Sequence, residues 1–134
     1  MISWDWTPSE LDRRERVQGG ETVLANCDGR GCDKRLIEWA KEKGLFVYIG
    51  RGGGRTGYCR SDWHNPAALT PKDKHNAEAR ARALASYEAH LAAQPDLLAR
   101  LKGPELRGKV LGCHCHPEPC HGGILIARLA AGAG

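Results

Sequence analysis

The residues best suited to chemistry lie together near the end of the chain, in Cys113-His114-Cys115-His116-Pro117-Glu118-Pro119-Cys120-His121. The spacing is Cys113-x-Cys115-x4-Cys120-His121. Thiolates and imidazole are the ligands zinc prefers, and two short-spaced pairs can close a tetrahedron around it. Pro117 and Pro119 stiffen the intervening loop, which lowers the entropy lost on binding. His114 and His116 compete with His121 for the fourth position. A second chemistry is open to the same residues. Cys120 stands where the last helix is expected to begin, and a helix amino end lowers a thiol pKa and attracts anions. Cysteines that merely pack are the plain alternative.

A weaker set lies earlier. Cys27 and Cys32, with Cys59 and His64, could form a second metal site or join the C-terminal cluster; two unrelated loop cysteines are the competing explanation. Gly29-Arg30-Gly31 and Gly50-Arg51-Gly52-Gly53-Gly54-Arg55 each follow an apolar run. Bare backbone N–H groups beside Arg30, Arg51 and Arg55 suit a phosphate, although neither loop matches a full dinucleotide or P-loop fingerprint. Asp62-Trp63-His64-Asn65-Pro66 places four functional side chains in five residues. Asp62 or His64 can serve as acid or base, Asn65 can orient water or read a base edge, and Trp63 or Tyr48 can stack a base. The alternative is a turn in which Asn65-Pro66 is punctuation and Trp63 fills the core.

These residues need elements to hold them. Thr7-Pro8-Ser9-Glu10 reads as a capping box opening a helix that ends at Gly19-Gly20. Residues 21–26 (ETVLAN) suit a short strand. Asp33 suits the cap of a helix with Leu36, Ile37 and Ala40 on one face, closed by Gly44. Residues 45–49 (LFVYI) form an unbroken apolar run, as expected of a strand buried on both faces. Strand, helix and strand in this order predict a βαβ unit. The stretch 50–69 is long for a loop, which favours a functional one. Thr70-Pro71-Lys72-Asp73 predicts the start of a long helix running to Gln94, Pro95 restarts a short one, residues 109–112 (KVLG) suit a third strand, and residues 124–131 a final helix. The expected fold is a single α/β domain over residues 1–134, a small three-layer Rossmann-like unit with a short parallel sheet and a Cys/His metal-type site.

Composition sets the outer bounds. The chain has 134 residues, one ordinary domain, and a net charge of +4, which permits a nucleic-acid or phosphate partner without requiring one. No apolar run is long enough to span a membrane, and the N-terminus lacks the pattern of a signal peptide. A cytoplasmic location is therefore expected. Six cysteines in a reducing compartment favour thiols, metal ligands or catalysis over disulfides.

Four stretches occur in a familiar order: 47–51 (VYIGR), 61–66 (SDWHNP), 108–115 (GKVLGCHC) and 117–122 (PEPCHG). With them the chain resembles the Domain of Unknown Function 4326 family of bacteria and phages, across roughly residues 45–131. The family usually has glycine where this chain has His64, and often tryptophan where it has His114. A second likeness joins Gly29-Arg30-Gly31-Cys32-Asp33, Glu38-Trp39-Ala40 and Gly44 to the nucleotide-binding segment of the lonely-guy phosphoribohydrolases, a group that binds nucleotides or cleaves N-glycosidic bonds. Together these resemblances imply a nucleic-acid base-processing enzyme. The expectation is a DNA glycosylase, a repair-type hydrolase removing a modified base such as 5-hydroxymethyluracil. Asp62, His64 and Asn65 would be catalytic, Tyr48, Gly50, Arg51, Arg55 and Trp63 would hold base and phosphate, and Cys113, Cys115, Cys120 and His121 would bind a structural zinc, with Cys27, Cys32 and Cys59 as weaker candidates. A zinc-stabilised nucleotide-binding or nucleic-acid-binding module without turnover is the alternative, and thiol chemistry at Cys120 a third.

Elemental analysis of purified protein is expected to find about one zinc per chain, with Cys113, Cys115 and Cys120 protected from thiol reagents. A metal-free protein with a freely reactive Cys120 would move the chemistry to that thiol.

Overall fold

The computed structural model describes residues 6–27, 33–50, 60–66, 76–113 and 121–132. Its elements are α1 (Pro8–Gln18), β1 (Val23–Asn26), α2 (Lys34–Glu42), β2 (Phe46–Tyr48), α3 (Ala77–Ala92), α4 (Pro95–Leu101), β3 (Val110–Cys113) and α5 (His121–Gly132). The strands form one parallel sheet in the order β1-β3-β2. The expected βαβ unit is therefore present without its pairing: β1 and β2 leave a gap that β3 later fills. Val110, Leu111, Gly112 and Cys113 are all buried, whereas Phe46, Val47 and Tyr48 are only half-buried. The apolar run 45–49 thus makes an edge strand rather than one covered on both faces. The central place falls to β3, where the missing side chain of Gly112 leaves room for the Phe46 ring of β2.

Helices cover both faces. α1 and α2 enclose Val17, Val23, Ala25, Leu36, Ile37, Ala40 and Val110. α3, α4 and α5 enclose a second core that includes Ile49, Trp63, Tyr87, Leu91, Leu111, Cys113 and Leu125. The crossover from β1 to β2 runs outward across the sheet on one face, and the return from β2 to β3 runs back on the other. Opposite directions on opposite faces give both crossovers the same hand, as the right-handed rule for parallel strands requires.

The capping box at Thr7 forms as expected: Glu10 N donates to Thr7 Oγ1 at 3.1 Å, and Thr7 N donates to Glu10 Oε1 at 3.0 Å. Glu10 is 1% exposed, because its other oxygen accepts from Leu36 N, in the first turn of α2, at 2.9 Å. One carboxylate caps two helices. Asp33 stands at the expected cap of α2 but makes no side-chain cap bond there. Its carboxylate instead accepts from Arg13 and from Asn26 N, the latter at 2.7 Å, while Arg13 also donates to Leu24 O at 2.7 Å. A guanidinium in the interior demands its own carboxylate, and Glu10 is left to cap the helix. α3 begins at Ala77 rather than near Pro71, because the Asn76 side chain accepts from Ala79 N at 3.0 Å and closes the helix there. Thr70-Pro71-Lys72-Asp73 lies outside the described residues.

Asp33→Ala would strand the Arg13 charge in the interface of α1, β1 and α2, and is expected to cost about 3–5 kcal/mol in urea unfolding. Arg13→Met combined with Asp33→Leu should recover part of that loss. An Asp33→Ala protein as stable as the parent would mean that the pair does not hold the two helices to the sheet.

Candidate functional site

All three strands point the same way, so Asn26, Tyr48 and Cys113 end at one edge of the sheet. The carboxyl edge of a parallel sheet is where such folds bind ligands, above all where neighbouring connections leave to opposite faces. Here that divergence falls between β1, which feeds α2 on one face, and β3, which feeds α5 on the other.

The segment 60–66 lies at the same edge. Ser61 N donates to Gly50 O at 3.0 Å, which ties the segment to the end of β2. Its side chains alternate. Trp63 and Asn65 are 2% and 5% exposed, whereas Asp62 is exposed and His64 half-buried. This corrects two expected roles. Trp63 is no open stacking platform: its ring lies in the core and its Nε1 donates to Glu105 Oε2 at 2.9 Å. Asn65 is an anchor, its Nδ2 donating to Ala83 O at 3.1 Å. The two buried side chains fix the segment and turn Asp62 and His64 outward. Asp62 does not stand alone either, since Arg100 donates to its Oδ2 at 3.0 Å.

His64 Nδ1 lies 2.7 Å from Ser61 O, and His121 Nε2 lies 2.7 Å from Ile49 O. A carbonyl oxygen can only accept, so each of these nitrogens carries the hydrogen. In the neutral rings the lone pairs are then on His64 Nε2 and His121 Nδ1. Burial pushes the His121 pKa down, the Ile49 carbonyl opposes that shift, and the charge of His64 adds to it. The two rings thus lie within electrostatic reach of one another, and His121 is neutral near pH 7. A histidine whose second nitrogen donates to a backbone carbonyl has the orientation and tautomer of a metal ligand. His121 therefore fits the zinc set expected of it. Cys113 is 1% exposed on the same face of the sheet as α5. Cys115 and Cys120 lie outside the described residues, and among the described residues no group of three or more His, Cys, Asp or Glu side chains is arranged around a metal position.

Other expected residues separate. Cys27 packs against the core under α1 and α2, with its Sγ 2.5 Å from where a Cβ on Gly112 would lie, whereas Cys113 belongs to the core on the opposite face. Adjacent register positions point to opposite sides of a sheet, so Cys27 and Cys113 leave it on opposite faces. Tyr48 shares the Gly112 face, and its ring folds over Gly50, where an added Cβ would meet the hydroxyl at 2.5 Å. Gly50 is buried there, so its lack of a side chain makes room for Tyr48 rather than for a phosphate. Arg30, Arg51, Arg55, Cys32 and Cys59 lie outside the described residues.

Three residues absent from the sequence-based set complete the geometry. Glu105 accepts from Trp63 Nε1 and from Arg100, and the Arg100 guanidinium sits 5.0 Å from the centre of the Trp63 ring. Tyr87, fully buried, donates from its hydroxyl to Trp63 O at 2.9 Å and sets its ring against His121, centroids 4.9 Å apart. None carries a spacing signal, because each acts across 5 to 42 positions of chain.

A parallel α/β sheet with two oriented histidines at its carboxyl edge is the class of site these residues define. The chain belongs to the family described as Domain of unknown function (DUF4326), which matches residues 32–131. The match starts at Cys32 rather than near residue 45, so it takes in α2 as well as the motifs that follow. No curated protein and no solved structure matches the chain.

The Arg100 hydrogen bonds hold the Glu105 carboxyl below its ordinary value of 4.5. A depressed carboxyl pKa adds stability above the unfolded value and loses it as pH falls through the folded one. Glu105→Gln is therefore expected to be less stable than the parent at neutral pH, by an amount that shrinks as pH drops below 4.5. A gap in urea midpoints that stays constant across that range would contradict the pairing.

Proposed function

We propose that the chain is a base-processing enzyme acting on DNA, an N-glycosidic hydrolase that removes a modified base at the carboxyl edge of its sheet. The observation that carries this reading is His64: half-exposed, fixed by the Ser61 carbonyl with its Nε2 lone pair available, and flanked by two buried anchors. In the proposed reaction the bond between the sugar C1′ and the base nitrogen breaks, and the base leaves with the bonding pair. Positive charge develops on the sugar, water adds at C1′, and its proton passes to His64 Nε2. The Asp62 carboxylate contributes a negative field to that charge, weakened by its bond to Arg100 and by solvent, since its side chain is 73% exposed. Asp62 is thus secondary to His64. An extruded base would not stack on Trp63, whose ring is buried.

Zinc, held by Cys113, Cys115, Cys120 and His121, would be structural, since four protein ligands leave no position for substrate. The net charge of +4 suits a polyanionic partner. No helix among the described residues is long and apolar enough to cross a membrane.

Incubation with duplex DNA carrying 5-hydroxymethyluracil tests the proposal by release of free base. His64→Ala should lower the rate by about 100-fold or more while leaving DNA affinity within about twofold, and Asp62→Asn should cost less. Tight binding without release from any modified duplex would favour the alternative of a zinc-stabilised nucleic-acid-binding module.

A further inference from the structure

We infer that Tyr87 is the positioning residue of this site, joining the segment that carries His64 to the helix that carries His121. The catalytic part of this inference rests on the proposed role of His64; the geometric part does not.

A side chain with no exposure that served only to fill space would need no hydroxyl. A buried hydroxyl is costly unless it is bonded. The Tyr87 hydroxyl donates to Trp63 O at 2.9 Å. That carbonyl belongs to the same peptide unit as His64 N, which donates to Ser61 O at 3.1 Å. Both ends of the Trp63–His64 peptide are therefore fixed. The plane of that peptide sets the direction in which the His64 side chain leaves the backbone, because a planar peptide leaves only the dihedrals on either side of it to vary. One helical turn earlier on α3, Ala83 O receives the Asn65 amide. Residues 83 and 87 thus hold residues 65 and 63 from a single helix face, with His64 between them pointing away. The other side of the Tyr87 ring meets His121 in an edge-on contact, interplanar angle 66°. His121 in turn donates to Ile49 O, next to the Gly50 carbonyl that receives Ser61 N. The loop, the end of β2 and the start of α5 form a closed ring of contacts with Tyr87 inside it.

Tyr87→Phe keeps the ring that meets His121 and removes the hydroxyl that bonds the Trp63 carbonyl. Long-range proton–nitrogen NMR of the imidazoles, recorded where both are neutral, reads the consequence. In the parent protein His64 should be mainly the Nδ1–H form and His121 the Nε2–H form. In Tyr87→Phe, His64 should shift toward a mixture of tautomers while His121 stays as it was. Val17→Ala, which loosens the core on the opposite face, should leave both unchanged and so separates positioning from general destabilisation. In the base-release assay Tyr87→Phe should lose about 10- to 100-fold in kcat with KM within about twofold. A Tyr87→Phe protein with unchanged His64 tautomer overturns the inference. A shifted tautomer, with no base release by either protein, overturns the glycosidic reading and leaves the positioning role standing. If Tyr87→Phe does not fold, the parent protein decides: its Tyr87 hydroxyl proton should be protected from exchange and show a contact to the His64 amide, and absence of that signal overturns the inference.

Discussion

Among the described residues β1 and β2 each pair with β3 and not with each other, so four residues, Val110 to Cys113, hold the sheet together. Both faces of β3 are covered, and both its backbone edges are bonded. Gly112 is where this crowding is greatest: a Cβ there would collide with Phe46 from β2 and Cys27 from the end of β1. The absence of a side chain lets the two outer strands close over the central one. The candidate residues at the strand ends, Cys27, Tyr48, Gly50 and Cys113, depend on that closure, and the segment 60–66 is tied to it through Ser61 N and Gly50 O.

The two faces of the sheet solve different electrostatic problems. On the α1–α2 face, Glu10, Arg13 and Asp33 are almost wholly buried and satisfy one another and the backbone. The amino end of α2 is thereby supplied with the chain's own carboxylates, which disfavours a phosphate at that position. On the opposite face Arg80 of α3 is also buried, but the groups that bond the Trp63, Ala83 and Ile49 carbonyls are neutral: a tyrosine hydroxyl, an asparagine amide and an imidazole whose burial keeps it uncharged. Chemistry needing an available lone pair belongs on that second face, where burial and backbone carbonyls have already fixed the protons.

The segment 60–66 shows how a loop can be made rigid without regular structure. Trp63 and Asn65 point inward to Glu105, Arg100, Tyr87 and Ala83, which come from α3, α4 and the turn before β3. The odd positions bear the packing and the even ones are presented, a period of two borrowed from strands. Anchoring and exposed positions thus alternate along one short motif.

By itself the sequence determined the local structure and the cast of reactive residues. The capping box at Thr7, the restart at Pro95, the strands within residues 21–26 and about 109–112, and the family motifs were legible because each depends on neighbours a few positions away. The roles within the motif at 61–66 were not legible, since Trp, His and Asn suit either anchoring or chemistry and only burial separates them. Nor was the pairing of β1 and β2 with β3, because an apolar run carries no label for its partner. The division of Cys27 from Cys113, the second helix capped by Glu10, and the parts of Tyr87, Arg100 and Glu105 were decided by tertiary structure alone. Each depends on contacts between distant positions, and these exist only once the sheet has closed and its two faces have been covered.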